Sequence, residues 1–358
     1  RKKKKQKTDW MLYLSIFFFV LSIVLMIVYF STPKTPTVVP TTDPVVPVNP
    51  TPQVEPETVT PIVDENSSER PLAIMIDTNI GDAKHAGLQD SYVNYEMIVE
   101  GGLTRIMAIY KDKEVSVVGP VRSARHYFLD YALEHDAVYA HFGWSPYAED
   151  NIKTLKVKNI NGMVDTTPFA RDRNLPSPHN VFTSTTKLRD YFETKGYDAV
   201  SANWKVFNYS TNEIDLSSTE SGDVLDSDLE TASRVSMTYS YSEYRTYTYD
   251  SDNKYYLRSK NGKAHIDRKT DQQLHYKNII IMRVENKTVD SEGRQDLQTT
   301  GSGTGYYITN GYALPINWSK SSRSAKTRYT YMDGTNVILN NGNTFIQIVP
   351  MDSSIVIE

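Results

Sequence analysis

Two arginines three residues apart, Arg122 and Arg125, flank Ser123 and Ala124 just after a Gly119-Pro120 turn. A strand-like run, Val115–Val118, precedes the turn. Val121, Ala124, Phe128 and Ala132 then recur at helical spacing and predict a helix over Val121–His135. The first N–H groups of a helix lack partners and carry partial positive charge. Two guanidinium forks beside such an end make a candidate site for phosphate or carboxylate, and Arg105 and Arg171 add positive charge to the same region. The competing reading is structural. Arg125 falls near the apolar face of that helix, and a buried arginine needs a carboxylate, for which Asp77, Glu96 and Glu100 are the candidates. His141 ends an apolar strand and His179 lies in a Pro-His-Asn loop; either could join Asp77 or Glu100 as an acid–base pair. No two histidines have the i, i+4 spacing of a helical metal site, and the chain has no cysteine. No metal and no cofactor is expected. Gly143-Trp-Ser-Pro-Tyr147 approaches a nucleophile-elbow pattern, but Ser145 before Pro146 reads better as a helix N-cap.

The elements that must position these residues fall into two regions. Residues 70–205 alternate short apolar runs with helix-like stretches, the pattern of an α/β domain. Its last helix starts at an N-cap, Ser184, and stops at Gly196. Residues 206–232 are rich in Ser, Thr and Asp and read as a linker. Residues 233–358 alternate instead with period two, as in Val235, Met237, Tyr239 and Tyr241. Asn-Gly at 261–262, 310–311 and 341–342 and Asp-Gly at 333–334 are two-residue hairpin signals. Thirteen of the 25 tyrosines lie in this stretch. They are accounted for by strand preference before any sugar-binding platform. A mainly antiparallel β domain is expected here.

The N-terminal end places the whole. Residues 1–9 are a basic tail, and Trp10–Phe30 is an uncharged apolar run of 21 residues. At 1.5 Å per residue such a helix reaches roughly 31 Å, enough to cross a bilayer. It is longer than the core of a cleaved signal peptide and lacks a small-residue cleavage site. The lysines keep the tail cytoplasmic, so the residues beyond the span are extracellular. Residues 31–69, with nine prolines, form an extended stalk. The chain's net −4 and the tail's +5 leave −9 on residues 10–358. Bulk attraction to nucleic acid is thereby excluded. The expected fold class is α+β and multidomain: a transmembrane helix, an α/β N-terminal ectodomain and an antiparallel β C-terminal domain.

The motifs Pro71–Asn79, Val99-Glu-Gly-Gly-Leu-Thr-Arg105, Gly119-Pro-Val-Arg-Ser-Ala-Arg125, Asp136–Pro146, Ser177–Ser184, Asp290–Arg294 and Gly342–Pro350 occur in an order that resembles the YerB-type family of Gram-positive envelope proteins. The resemblance covers about residues 70–205 and 233–350. It implies N- and C-terminal domains of unassigned biochemical function and an extracytoplasmic binding or scaffold role near cell-wall synthesis. A cell-wall polymer or a wall-synthesis protein would be the partner. Many family members are lipoproteins; this cysteine-free chain has its transmembrane helix in place of a lipobox cysteine. A looser similarity, to LytR–CpsA–Psr glycan transferases, implies the alternative: an enzyme acting on phosphorylated, lipid-linked wall glycans through an Arg-rich anion site. The acidic metal-binding signature of those enzymes is not evident here.

Overall fold

The computed structural model describes residues 61–79, 85–217 and 228–358, all within one compact unit, Thr58–Glu358. Among the described residues no helix is long and apolar enough to cross a membrane. The expected span, Trp10–Phe30, and most of the stalk lie outside them.

Apolar runs that are buried on both faces make the centre. β1 (Leu72–Asp77) and β3 (Thr104–Tyr110) are buried throughout, as is β2 (Val93–Ile98) between polar turns. β4 (Val138–His141) and β5 (Asn159–Asn161) extend this group. Two short helices follow the same stretch, α1 (Leu129–Glu134) and α2 (Pro146–Thr154), the latter capped by Ser145 Oγ accepting from Ala148 N. Further on, α3 (Thr185–Asp190) is capped by Ser184.

The second half supplies two sets of strands. β6 (Arg234–Ser240), β7 (Glu243–Asp250) and β8 (Tyr255–Lys260) form an antiparallel meander, joined at the far edge of β6 by β14 (Ile355–Ile357). β9 (Asn278–Val284), β10 (Gly301–Thr309), β11 (Tyr312–Lys320), β12 (Arg328–Tyr331) and β13 (Thr344–Pro350) enter the other sheet. That sheet runs β12-β11-β10-β9-β13-β2-β3-β1-β4-β5, with Glu230–Thr231 added beside β11. β13 pairs in parallel with β9 on one side and with β2 on the other. It is therefore the seam between the two halves of the sequence, and all seven of its residues are buried. Two Asn-Gly pairs make the expected tight turns: Asn261 and Gly262 after β8, and Asn310 and Gly311 between β10 and β11, all with positive φ.

This corrects the expected fold class in three respects. The chain is mostly β, with one large mixed sheet in place of a separate α/β layer. No described helix exceeds nine residues. The sheet part of the second half is not simply antiparallel, because β13 is parallel to both neighbours. The helix expected from Val121 begins only at His126, as a single 3₁₀ turn leading into α1. Residues 121–125 are extended, because other strands take their backbone donors: Val121 N donates to Val181 O, Arg122 N to Met75 O and Ala124 N to Gly143 O. The apolar spacing that suggested a helix reflects instead a strap laid across the ends of β1 and β4.

The large sheet has two coverings. Tyr95 points to one face, where its hydroxyl meets Glu134 and His135 at the end of α1. Asn94 and Glu96 point to the other, where the β6–β8 sheet packs. This alternation along β2 is the pleat of a strand covered on both sides.

Candidate functional site

Where β1 ends and β3 begins beside the strap, Asp77, Glu100, Arg105, Arg122 and Arg125 line one cavity of about 360 Å³, together with Glu292 and Arg294 from the second half. Without a helix N-terminus to contribute, the charge of this cavity comes from side chains alone. Arg125 and Glu100 make a two-pronged pair at 2.5 and 2.7 Å. Arg122 Nε lies 3.2 Å from Asp77 Oδ2, and His179 Nδ1 reaches the same oxygen. Arg294 pairs with Asp290 at 2.8 Å.

Arg105 is different. It is 7% exposed, and Nη1 donates to Ser123 O at 2.7 Å. No ion pair joins it to a carboxylate among the described residues. Burial, then the neighbouring Arg125 guanidinium, lowers its pKa to about 10. A buried charge without a paired counter-charge is costly. The cavity thus holds four guanidinium groups: three are ion-paired within the protein, and Arg105 has no such pair, although Glu100 in the same cavity acts on it favourably. Burial alone would raise the carboxyls of Asp77 and Glu100; Arg122 with His179, and Arg125, overcome it and hold both below their ordinary range.

The remaining residues from the sequence go elsewhere. Ser123 turns its hydroxyl to Phe142 O and serves the cavity through its carbonyl. Arg171 lies over the Phe142 ring, 5.0 Å away, donates to Asn180 and lines a separate groove. His141 is buried between Gly143 O and Asn159 Oδ1, outside the cavity. Glu96 does not meet Arg125. It is fully buried between the sheets, 2.7 Å from both Arg245 and Arg258, with Thr104 and Gln347 completing its hydrogen bonds. Its carboxyl is held far below the ordinary value: burial would raise it, and the two guanidinium groups overcome that. Sequence reasoning missed Arg245, Arg258, Glu292 and Arg294. The first two carried a signal, since Arg245 shares an inward period with Tyr247, and Arg258 with Tyr256.

The buried histidines predict an acid response. His85, His135, His141 and His265 are 0% exposed. Burial lowers the first three to about 4 and the last well below 6.5. As pH falls below 6.5 the unfolded chain takes up protons that the folded chain refuses. Stability is therefore full above pH 6.5 and is lost progressively down to about pH 4. At pH 5 the loss is at most about 2 kcal/mol per histidine. Thermal melts at pH 7.5 and 5.0 check this; an unchanged Tm would contradict it.

Both halves of the chain match known proteins. Residues 58–198 match the model described as "Protein of unknown function (DUF3048) N-terminal domain", and residues 235–346 match its C-terminal counterpart. The chain belongs to the YerB-type family. A Bacillus subtilis protein named "Putative lipoprotein YerB" is 27% identical over 289 residues, spanning 79% of this chain and 82% of that protein. The crystal structure of YerB from Bacillus subtilis superposes with a TM-score of 0.70 at 27% identity, covering 83% of this chain and 99% of the other. The YerB-type match runs through both halves that β13 joins, and the cavity draws residues from both matched regions.

Proposed function

We propose that this YerB-type chain is an extracytoplasmic envelope protein, tethered to the membrane through Trp10–Phe30. In this reading its Arg105 cavity binds an anionic group, phosphate or carboxylate, of a cell-wall polymer or of a partner in wall synthesis. The carrying observation is the buried, unpaired guanidinium of Arg105. Placement outside the membrane draws support from the name of the Bacillus subtilis relative, from the lysine-flanked apolar run and from the proline stalk. A binding or scaffold role fits the internal pairing of Arg122, Arg125 and Arg294, which leaves a fixed receptor. The Asp77–His179 pair beside Arg122 favours one second reading, an enzyme acting on phosphorylated, lipid-linked wall glycans with His179 as its acid–base group.

Thermal melts of the full chain in detergent, with and without inorganic phosphate and pyrophosphate, test the binding reading. A ligand at one hundred times its Kd adds about 2.7 kcal/mol. Arg105→Met is expected to abolish the ligand-induced rise while the ligand-free protein melts no lower than wild type, because no ion pair is lost. An undiminished rise in the variant would remove the argument. So would a ligand-free Tm that collapses, since Arg105 would then be structural. Release of phosphate from a polyprenyl-pyrophosphate glycan, lost in His179→Gln, would establish the second reading instead.

A further inference from the structure

The cavity that holds Arg105 is not simply basic. Its four guanidinium groups stand with three carboxylates, Asp77, Glu100 and Glu292, so the lining carries a single net positive charge. Asp77 and Glu100 are engaged by Arg122 and Arg125. Glu292 is not engaged in this way. It is exposed in the turn of the hairpin formed by Asn286–Thr288 and Gln295–Leu297. Its neighbour Arg294 gives its guanidinium to Asp290 at 2.8 Å. Among the described residues neither an ion pair nor a side-chain hydrogen bond takes up the Glu292 carboxylate. The turn itself is fixed, because Asp290 Oδ1 accepts from both Glu292 N and Arg294 N at 3.1 Å.

Two groups of opposite charge are therefore left over in one cavity: the buried guanidinium of Arg105 and the exposed carboxylate of Glu292. A free dianion satisfies only the first. On entry it meets like charge at Glu292, and once seated it outweighs the single net charge of the lining. A molecule that carries an anionic head and an ammonium satisfies both, and the complementarity selects it over a plain anion. Val99 and Leu103 add apolar wall to the same cavity, where a short carbon spacer can pack. A volume of about 360 Å³ suits a ligand of that small size.

We propose that the cavity selects a small zwitterion, with its carboxylate or phosphate on Arg105 and its ammonium on Glu292. The assignment rests on the anion reading and adds the class of what carries the anion. An amino acid or short peptide and an ethanolamine phosphate share this chemistry.

Calorimetry on the full chain in detergent at pH 7.5 separates the two readings and the two sources. Two pairs of probes differ only by the amine: butyrate with 4-aminobutyrate, and ethyl phosphate with phosphoethanolamine. In at least one pair the amine-bearing probe is expected to bind about ten times more tightly than its partner. The pair that shows the gain identifies the anionic head as carboxylate or phosphate. Glu292→Gln, at an exposed side chain that makes no hydrogen bond of its own, removes the gain and leaves the plain anions bound no more weakly. Equal affinities within both pairs overturn the zwitterion and spare the anion site. A gain that persists in Glu292→Gln overturns the seat of the ammonium. A loss shared by the plain anions overturns it too, since the variant would then have damaged the cavity itself. No binding of any probe removes the anion reading and this proposal with it.

Discussion

Glu96→Ala is expected to lower the stability of the folded unit by about 3–5 kcal/mol, a fall in Tm of roughly 5–9 °C for a unit of this size. The carboxylate is fully buried and touches two fully buried guanidinium groups, one from β7 and one from β8. Removing it leaves Arg258 with no carboxylate and Arg245 with Glu243 alone, two buried cations close together between the sheets. The loss is larger than that of a surface pair, because water cannot enter to replace the missing partner. Neighbours share the damage: Thr104 Oγ1 donates to Glu96, Gln347 Nε2 donates to it, and Arg258 Nη1 contacts His265. A triple replacement of Glu96, Arg245 and Arg258 by methionine or leucine, made with Glu243→Gln so that the carboxylate paired to Arg245 is not left behind, should recover most of the loss, since the desolvation of the ions disappears together. Chemical denaturation of the single and triple variants checks the pair of statements. A single variant within about 1 kcal/mol of wild type would mean that the cluster is hydrated in solution.

Gly305→Ala should cost more than about 3 kcal/mol, a large effect for one methyl group. Gly305 lies inside β10, opposite Met282 on β9 and Ile316 on β11. A Cβ built there would sit 1.8 Å from the carbonyl oxygen of Ile281. That obstacle is backbone in the middle of the sheet, so no side-chain rotation relieves it. The strands must part, and the ladder bonds around Ile281 lengthen with them. Gly334→Ala is the control, because no atom lies within 4 Å of its added Cβ; its cost is limited to the strain of a positive φ. Urea unfolding of the two variants should separate them clearly, and equal midpoints would contradict the close approach.

What could be read beforehand divides by the range over which the determining interaction acts. N-caps at Ser145 and Ser184 and the turns at Asn261 and Asn310 were legible because one or two neighbouring residues decide them. Burial of Val235, Met237 and Tyr239 followed from period two. The gathering of Arg105, Arg122 and Arg125 with Asp77 and Glu100 was partly legible, since all five stand near strand ends of one region. The strap was not, because its conformation is imposed by Met75, Gly143 and Val181, none of them adjacent in sequence. Nor was the partner of Glu96, since the pairing joins residues 149 and 162 positions apart. A β strand parallel to both neighbours leaves no turn signal, so nothing local marked Thr344–Pro350 as the seam.

That seam sets a timetable. Synthesis delivers a chain from its N-terminus, so β2 emerges long before the strand that will lie beside it, whose Gln347 is 251 residues downstream of Glu96. Until then the apolar edge of β2 has no permanent neighbour and is open to false pairing. Closure comes only when the final segment arrives, and it then locks both halves in one event. A product cut short before Thr344 would therefore lack the keystone of its sheet and stand open to proteolysis.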